Sequence, residues 1–516
     1  MSTARNPYRL TPGAIADELY CLAPDRDERA AQLCAETLLT LVANGYRAPS
    51  DMRYFKSPKR QRFAIRSLAI GVNFLGGRIK GRAGDDETTP EEYGGRLASA
   101  SQIRGSANLH LAQLTLQGLI DPETQRGQPG TWLLRPFHES LLWYDARKPS
   151  PRSSEYTVRK VHMRGGGITL ARLLVDPPDP ADAKLGRRAV EAIRDALTAD
   201  SPLAQISEVL ERALPSGELW SNKELPPEDD EIRAWQRGSD PRLSLLATRI
   251  CRHAEGVMLQ GHASWPEKLW QLRSILALDL ALHMLEVGWQ VLDFPDEERY
   301  LLLSLGDTPR AQDVVRKRSE ETYRRARIIL SEATVRTLAR RMKELREGEG
   351  IDSFAGEFTD KRLIQNEPAS IANQLARLEP GCGDGEYLRL ARLAAESANY
   401  SRGSEDGFRV LLESVGMLVG TGAYRYLTAS TDLLAAMVGA LSSRMPMSSR
   451  DFFLAIKKEW GLVINQEAAA GTSLASQVDG AALAQNARRF EKLLSDAGLA
   501  IGLSDRTTLV GERIAR

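Results

Sequence analysis

The sequence predicts a mainly α, multidomain protein with winged-helix-like β-hairpins near 119–136 and 499–511. Three observations carry that expectation. Apolar residues recur at spacings of three and four, as in Val335, Leu338, Met342 and Leu345, which line one face of a helix. Helix starts and stops are frequent, from Thr11–Pro12 to Ser448 with Asp451 and Gly461. Strand-like runs are short and bounded by glycine or proline.

Taken in order, Thr11 before Pro12 opens a first helix through Leu22. Asp25 and Glu28 have capping-box spacing and start a second helix that runs to Asn44–Gly45. Residues 64–75 mix apolar and basic side chains until Gly76–Gly77, and Thr89, Pro90 and Glu92 open another helix. Within 100–137 an amphipathic helix ends near Gly118; LID, a turn rich in Gly and Pro, and TWLL then read as a hairpin. EYTVRKVHM (155–163) and GITLARLLV (167–175) read as strands paired around Gly165–Gly167, followed by a helix over 186–199 and another from Ser201–Pro202.

The stretch 275–292 is strongly apolar but holds Asp279, His283 and Glu286, which fits a buried helix better than a membrane span. Asp307–Thr308–Pro309 opens one long helix to Glu347; residues 310–346 carry twelve Lys/Arg against five Asp/Glu. At the C-terminal end, helix 451–460 stops at Gly461 before the strand-like LVI. A last helix, 480–496, then leads into LAIGL, the turn SDR and TTLV. Composition shifts divide the chain into an N-terminal helical and winged-helix-like domain (1–145) and a small mixed α/β and linker region (146–240). A helical domain with the long basic helix (241–350) and a C-terminal helical domain with a second winged-helix-like unit (351–516) follow.

Across 516 residues, 69 basic and 68 acidic side chains nearly cancel, so only local patches can attract a charged partner. Four scattered cysteines without a CxxC pair predict a reducing, cytoplasmic setting, and the N-terminus shows no apolar run of a signal peptide. The sharpest local asymmetry is 53–82: Arg53, Lys56, Lys59, Arg60, Arg62, Arg66, Arg78, Lys80 and Arg82, with no Asp or Glu. Tyr54, Phe55, Phe63 and Phe74 are interleaved. Such a tract neutralises phosphates and releases counterions, so these nine residues are the candidate DNA-backbone contacts. The aromatics are expected to pack in the core.

Other chemistry is thin. LEPGCGDGEYL (378–388) resembles the first motif of S-adenosylmethionine-dependent methyltransferases, with Glu379, Gly381, Gly383 and Gly385 in the matching places. Asp176–Pro177–Pro178–Asp179 resembles the D-P-P-aromatic motif of amino-methylating enzymes, with Asp179 where the aromatic belongs. The residues before Gly381 read as a helix, whereas that glycine motif needs a preceding strand. Cys251 and His253 lie two apart on a helix and face away from each other, and with His262 they make no zinc set. No P-loop is present. No catalytic, cofactor or metal residue is assigned.

The segments DFFLAIKKEWGLVI and NARRFEKLLSDAGLAIGLSDRTTLV are similar to accessory proteins of bacterial phage-defence operons, those linked to DNA methylation or phosphorothioation. The resemblance covers about a seventh of the chain. It implies a non-catalytic partner in a DNA-sensing or restriction complex and transfers no catalytic residue. The function expected is therefore a DNA-binding scaffold subunit of such a complex, contacting DNA and other subunits and no membrane. Two alternatives stand beside it: a divergent methyltransferase using 379–385, and a purely structural subunit that does not touch DNA.

Overall fold

The computed structural model describes residues 12–22, 27–51, 54–56, 121, 135–136, 138–139, 142, 145–147, 157–159, 163, 165–199, 229–306, 313–347, 371–379, 381–398, 400–442, 445–503 and 507–511. Among them the protein is mainly α, with a few short strands. The chain forms two compact units, one of residues 29–276 and one joining 1–28 to 277–516.

Helix α1 (Pro12–Tyr20) belongs to the second unit and starts on proline, whose fixed φ suits a first helical position. It ends before the expected Leu22 because Cys21 turns left-handed, at φ 56°. Helix α2 (Ala30–Ala43) opens the first unit. Its cap is Arg29, where Gln32 Oε1 accepts from the Arg29 N–H at 3.1 Å; the expected start at Asp25 lies outside the described residues. The expected stop holds, with Gly45 at φ 61°.

Two strands, β1 (Asp145–Arg147) and β2 (Thr157–Arg159), pair antiparallel. The expected partner of β2, GITLARLLV, is instead helix α3 (Gly166–Val175). Ile168, Leu170, Ala171, Leu173 and Leu174 are all buried, so the segment is enclosed on every side. A short run that is apolar all round has no period to separate strand from helix. Helices α4 (Ala183–Leu197), α5 (Asp229–Arg237) and α6 (Ser244–Met258) follow. Helix α5 lies in the expected mixed α/β and linker region 146–240; its first turn holds Asp229, Asp230 and Glu231, acids that complement the positive end of the helix. Cys251 Sγ donates to Leu173 O at 3.3 Å, tying α6 to α3.

Helix α7 (Trp265–Val291) is long and apolar enough to cross a membrane by length and composition, and 78% of its most apolar window is buried in the fold. The division between the units falls within it. Its polar groups are matched. Buried Arg273 pairs with buried Asp121 at 3.3 Å, in the first unit. In the second unit Asp279 Oδ1 accepts from Trp460 Nε1 at 2.8 Å, and His283 Nε2 lies 3.3 Å from Tyr20 O. Uncompensated burial of such groups costs several kcal/mol, so pairing is what admits them to the core.

The second unit is organised by the long helix α8 (Val314–Glu347). Its stripe of Val335, Leu338, Met342 and Leu345 packs with Ile15 of α1 and with Leu375, Tyr387, Leu390 and Ala394. Those four lie on α9 (Ile371–Arg377) and α10 (Asp384–Ala398). Helix α11 (Tyr400–Ser414) also lies against α8. Between them, β3 (Leu301–Leu302) precedes α8, and β4 (Leu418–Val419) pairs with β5 (Tyr426–Leu427).

Helix α12 (Thr431–Ser442) leads to β6 (Met447–Ser448) and α13 (Ser449–Trp460). Ser448 caps α13, accepting from the Asp451 N–H, and Gly461 ends it at φ 66°. Strand β7 (Leu462–Val463) pairs parallel with β3. Short helices α14 (Gln466–Ala469) and α15 (Leu474–Gln477) precede α16 (Gly480–Asp496), which Asp479 caps through the Ala481 and Ala482 N–H groups. Last, β8 (Ala500–Gly502) and β9 (Thr508–Val510) form a hairpin in a three-stranded antiparallel sheet, order β6-β9-β8.

Burial leaves a signature at high pH. It pushes the Tyr20 and Tyr323 phenols from 10.0 up to about 12. The unfolded chain releases these protons first, so their contribution is intact below pH 10 and is lost as pH climbs from 10 towards 12. Urea unfolding followed from pH 9 to pH 11 should show the midpoint fall, and Tyr20→Phe should flatten that fall while leaving the midpoint near neutrality little changed.

Candidate nucleic-acid interface

Of the nine basic tract residues, Lys56 lies within the described residues; Arg53, Lys59, Arg60, Arg62, Arg66, Arg78, Lys80 and Arg82 lie outside them, as do Phe63 and Phe74. What is described is the root from which the tract departs. Asn44, the C-cap of α2, grips the Lys56 main chain: its Oδ1 accepts from the Lys56 N–H at 2.9 Å and its Nδ2 donates to Lys56 O at 3.2 Å. Asn44 Nδ2 also donates to Thr40 O at 3.0 Å, which fixes the amide.

Phe55 goes inward. It is 3% exposed and sits 5.0 Å from the Trp235 ring, beside Ile168 and Ala234. The Arg172 guanidinium lies over the same indole at 5.2 Å. Tyr54, one residue earlier, points outward at 65% exposed. The polypeptide thus enters the tract from a fixed point, with the Lys56 side chain exposed.

The long basic helix is a different matter. Asp313 receives the Arg316 N–H at 2.8 Å at its start; the expected opening at Asp307–Pro309 lies outside the described residues. Its cations are largely engaged within the unit. Arg325 binds Glu298 at 2.8 Å, Arg327 binds Glu405 at 2.5 Å, and Arg340 and Arg341 both reach Glu18. Arg316 stacks over Tyr426 at 4.3 Å, Lys343 meets Asp384 at 2.7 Å, and Arg346 donates to Leu378 O. The acids come from α1, α10, α11 and the segment before β3, so a face that is basic in sequence is close to balanced in space.

On α16, Arg488 is exposed, but Arg489 donates to Leu305 O at 3.2 Å and Lys492 pairs with Asp496 at 2.6 Å. The β8–β9 hairpin adds something the sequence reading missed. Ala500 and Val510 point into the core, so their neighbours Ile501 and Leu509, which face each other across the pair, point out. Ile501 is 37% and Leu503 44% exposed. Along β8 and β9 the outward positions Ile501 and Leu509 are apolar where a solvated antiparallel sheet carries polar residues. Strand alternation in LAIGL held that signal.

The expected hairpin at 119–136 is represented by Asp121, Arg135 and Pro136, and the rest of it lies outside the described residues. The glycine motif at 379–385 joins α9 to α10, helix to helix. Glu379, Gly381, Gly383 and Gly385 therefore lack the strand–turn–helix setting that brings glycine backbone against a cofactor. Asp176 is the C-cap of α3 and Asp179 accepts from the Ala181 N–H, so the D-P-P-D run is a turn between helices. Burial pushes the Cys251 thiol up to about 12, and His253 is fully buried. Among the described residues no three His, Cys, Asp or Glu side chains gather as a metal set. No protein-family model matches the sequence, and neither a curated protein nor a solved structure matches it.

Proposed function

We propose that the protein is a non-catalytic, DNA-contacting scaffold subunit of a bacterial anti-phage or restriction complex, working in the cytoplasm. The observation that carries this reading is the acid-free basic tract 53–82, whose described residues Phe55 and Lys56 are anchored by Trp235 and Asn44. A polycation attached at a fixed point suits backbone contacts that position without reading sequence. The C-terminal elements support a winged-helix reading of 431–510. The order α12, β6, α13, α16, β8, β9 and the sheet order β6-β9-β8 follow that arrangement, enlarged by β7, α14 and α15 between its second and third helices. The four free cysteines support a reducing compartment.

Binding of the full chain to duplex DNA should weaken steeply with salt, with a slope near −0.9 per phosphate contacted. Reversing Lys59, Arg60 and Arg62 to Glu should abolish that binding while the thermal transition stays put; unchanged affinity would overturn the proposal. The apolar outer face at Ile501, Leu503 and Leu509 favours a second reading, a subunit that only joins proteins. On that reading the isolated chain binds no DNA at any salt, and Ile501→Asp with Leu503→Asp impairs complex assembly.

A further inference from the structure

The glycine-rich turn between α9 and α10 holds chemistry that the cofactor motif does not explain. Cys21, Cys34 and Cys251 are buried, and burial pushes the thiols of Cys34 and Cys251 up to about 12. Cys382 alone among the four cysteines reaches solvent. Gly381 and Gly383 flank it, and a Cβ placed on either, or on Gly385, would meet nothing within 4 Å, so the turn beside the half-buried cysteine is uncrowded.

The surroundings are specific. Cys382 lies two residues before α10, a helix of 15 residues whose N-terminal end carries positive potential. Two cations from the last turns of α8 stand close by: Lys343, held at 2.7 Å from Asp384, and Arg346, which fixes the turn through Leu378 O at 2.8 Å. The Asp384 hydrogen bond holds the Lys343 ammonium above its ordinary value. Asp384 and Glu347 are the acids of this corner. A helix N-terminal end and two cations beside a partly exposed sulfur are a known setting of reactive thiols.

The second observation is Tyr387, one turn into α10. Its side chain is 1% exposed in the core, and its hydroxyl is buried without completing a hydrogen bond. Burial pushes this phenol up to about 12, and the Cys382 sulfur beside it contributes. A buried hydroxyl left open costs stability, and such groups are rare unless something meets them. The Cys382 sulfur beside it is a weak acceptor, and an oxygen atom added to Sγ would be a stronger one.

We propose that Cys382 is a modification site, oxidised by a hydroperoxide to a sulfenic acid that Tyr387 stabilises through a hydrogen bond. The sulfur attacks one peroxide oxygen, so an S–O bond forms and the O–O bond breaks. The departing oxygen leaves as water or an alcohol, taking up the thiol proton. Sulfur loses two electrons and the peroxide gains two. With the other cysteines buried, the product has no exposed thiol on this chain to condense with and persists as the sulfenic acid.

The full chain treated with hydrogen peroxide and trapped with dimedone should show label at Cys382 and roughly tenfold less at Cys21, Cys34 and Cys251 by peptide mass spectrometry. Tyr387→Phe, which keeps the core volume, should lower the trapped sulfenate roughly fivefold. The same variant should leave iodoacetamide alkylation of Cys382 unchanged, separating stabilisation of the oxidised sulfur from simple access. Equal labelling of all four cysteines, or a Tyr387→Phe protein that forms the adduct as well as the wild type, would overturn the proposal.

Discussion

Gly167→Ala is expected to destabilise the 29–276 unit by about 3 kcal/mol or more, the upper range for overpacking. Gly167 sits in the first turn of α3, pressed on α2. A Cβ there would come within 2.6 Å of Glu36 Cβ, Leu33 O and Thr37 N. Two of those three atoms are backbone of a buried helix, so no rotamer change relieves the clash. The close approach serves a bond: the Glu36 carboxylate, 2% exposed, accepts from the Gly167 N–H at 2.8 Å and the Gly165 N–H at 3.2 Å. The Glu36 carboxyl group thus satisfies the N-terminal amides of α3. Pushing the helices apart loses packing and these hydrogen bonds together. Gly383→Ala supplies the contrast, because its Cβ would meet open space; a change within about 0.5 kcal/mol is expected there. Urea denaturation of both variants checks the pair, and equal midpoints would refute the account.

Asn486→Ala should cost about 3–5 kcal/mol in the other unit. Asn486 is 1% exposed and makes three hydrogen bonds from α16. Nδ2 donates to Leu303 O and Ile464 O, both at 2.9 Å, and Oδ1 accepts from the Leu305 N–H at 3.0 Å. Those backbone groups lie just past the ends of β3 and β7, a parallel pair of two residues each. So short a ladder leaves its flanking peptide groups without sheet partners, and the amide supplies them. Alanine would bury two open carbonyls and one open N–H. Hydrogen exchange at the Leu305 amide should accelerate along with the loss of stability. Protection unchanged from wild type would show that the clamp is dispensable.

Much of the helical frame was legible because its signals are local. Ser448 and Gly461 mark the ends of α13 by cap chemistry that needs only neighbours in sequence. The stripe on α8 was equally readable. The error at 167–175 arose where burial on all sides erased the period. The charge balance of α8 was not legible for another reason: Glu18, Glu298, Asp384 and Glu405, which pair with its cations, lie on other segments. The site at Cys382 had the same limit. Its glycines are visible in sequence, but the open Tyr387 hydroxyl and the two α8 cations become neighbours only in the fold.

The small parallel pair has a consequence for how the protein is made. Asn486 bonds Leu303 across 183 residues, Trp460 reaches Asp279 across 181, and Ser319 reaches Leu427 across 108. A helical chain ordinarily folds quickly from local contacts, whereas closures of this length slow the search. On the ribosome, the apolar half of α7 and strand β3 emerge long before the segments that cover them. Until α16 has left the exit tunnel they expose surface of the kind chaperones bind. The helix-rich unit is therefore expected to fold at the pace of a β protein, and late in its own synthesis.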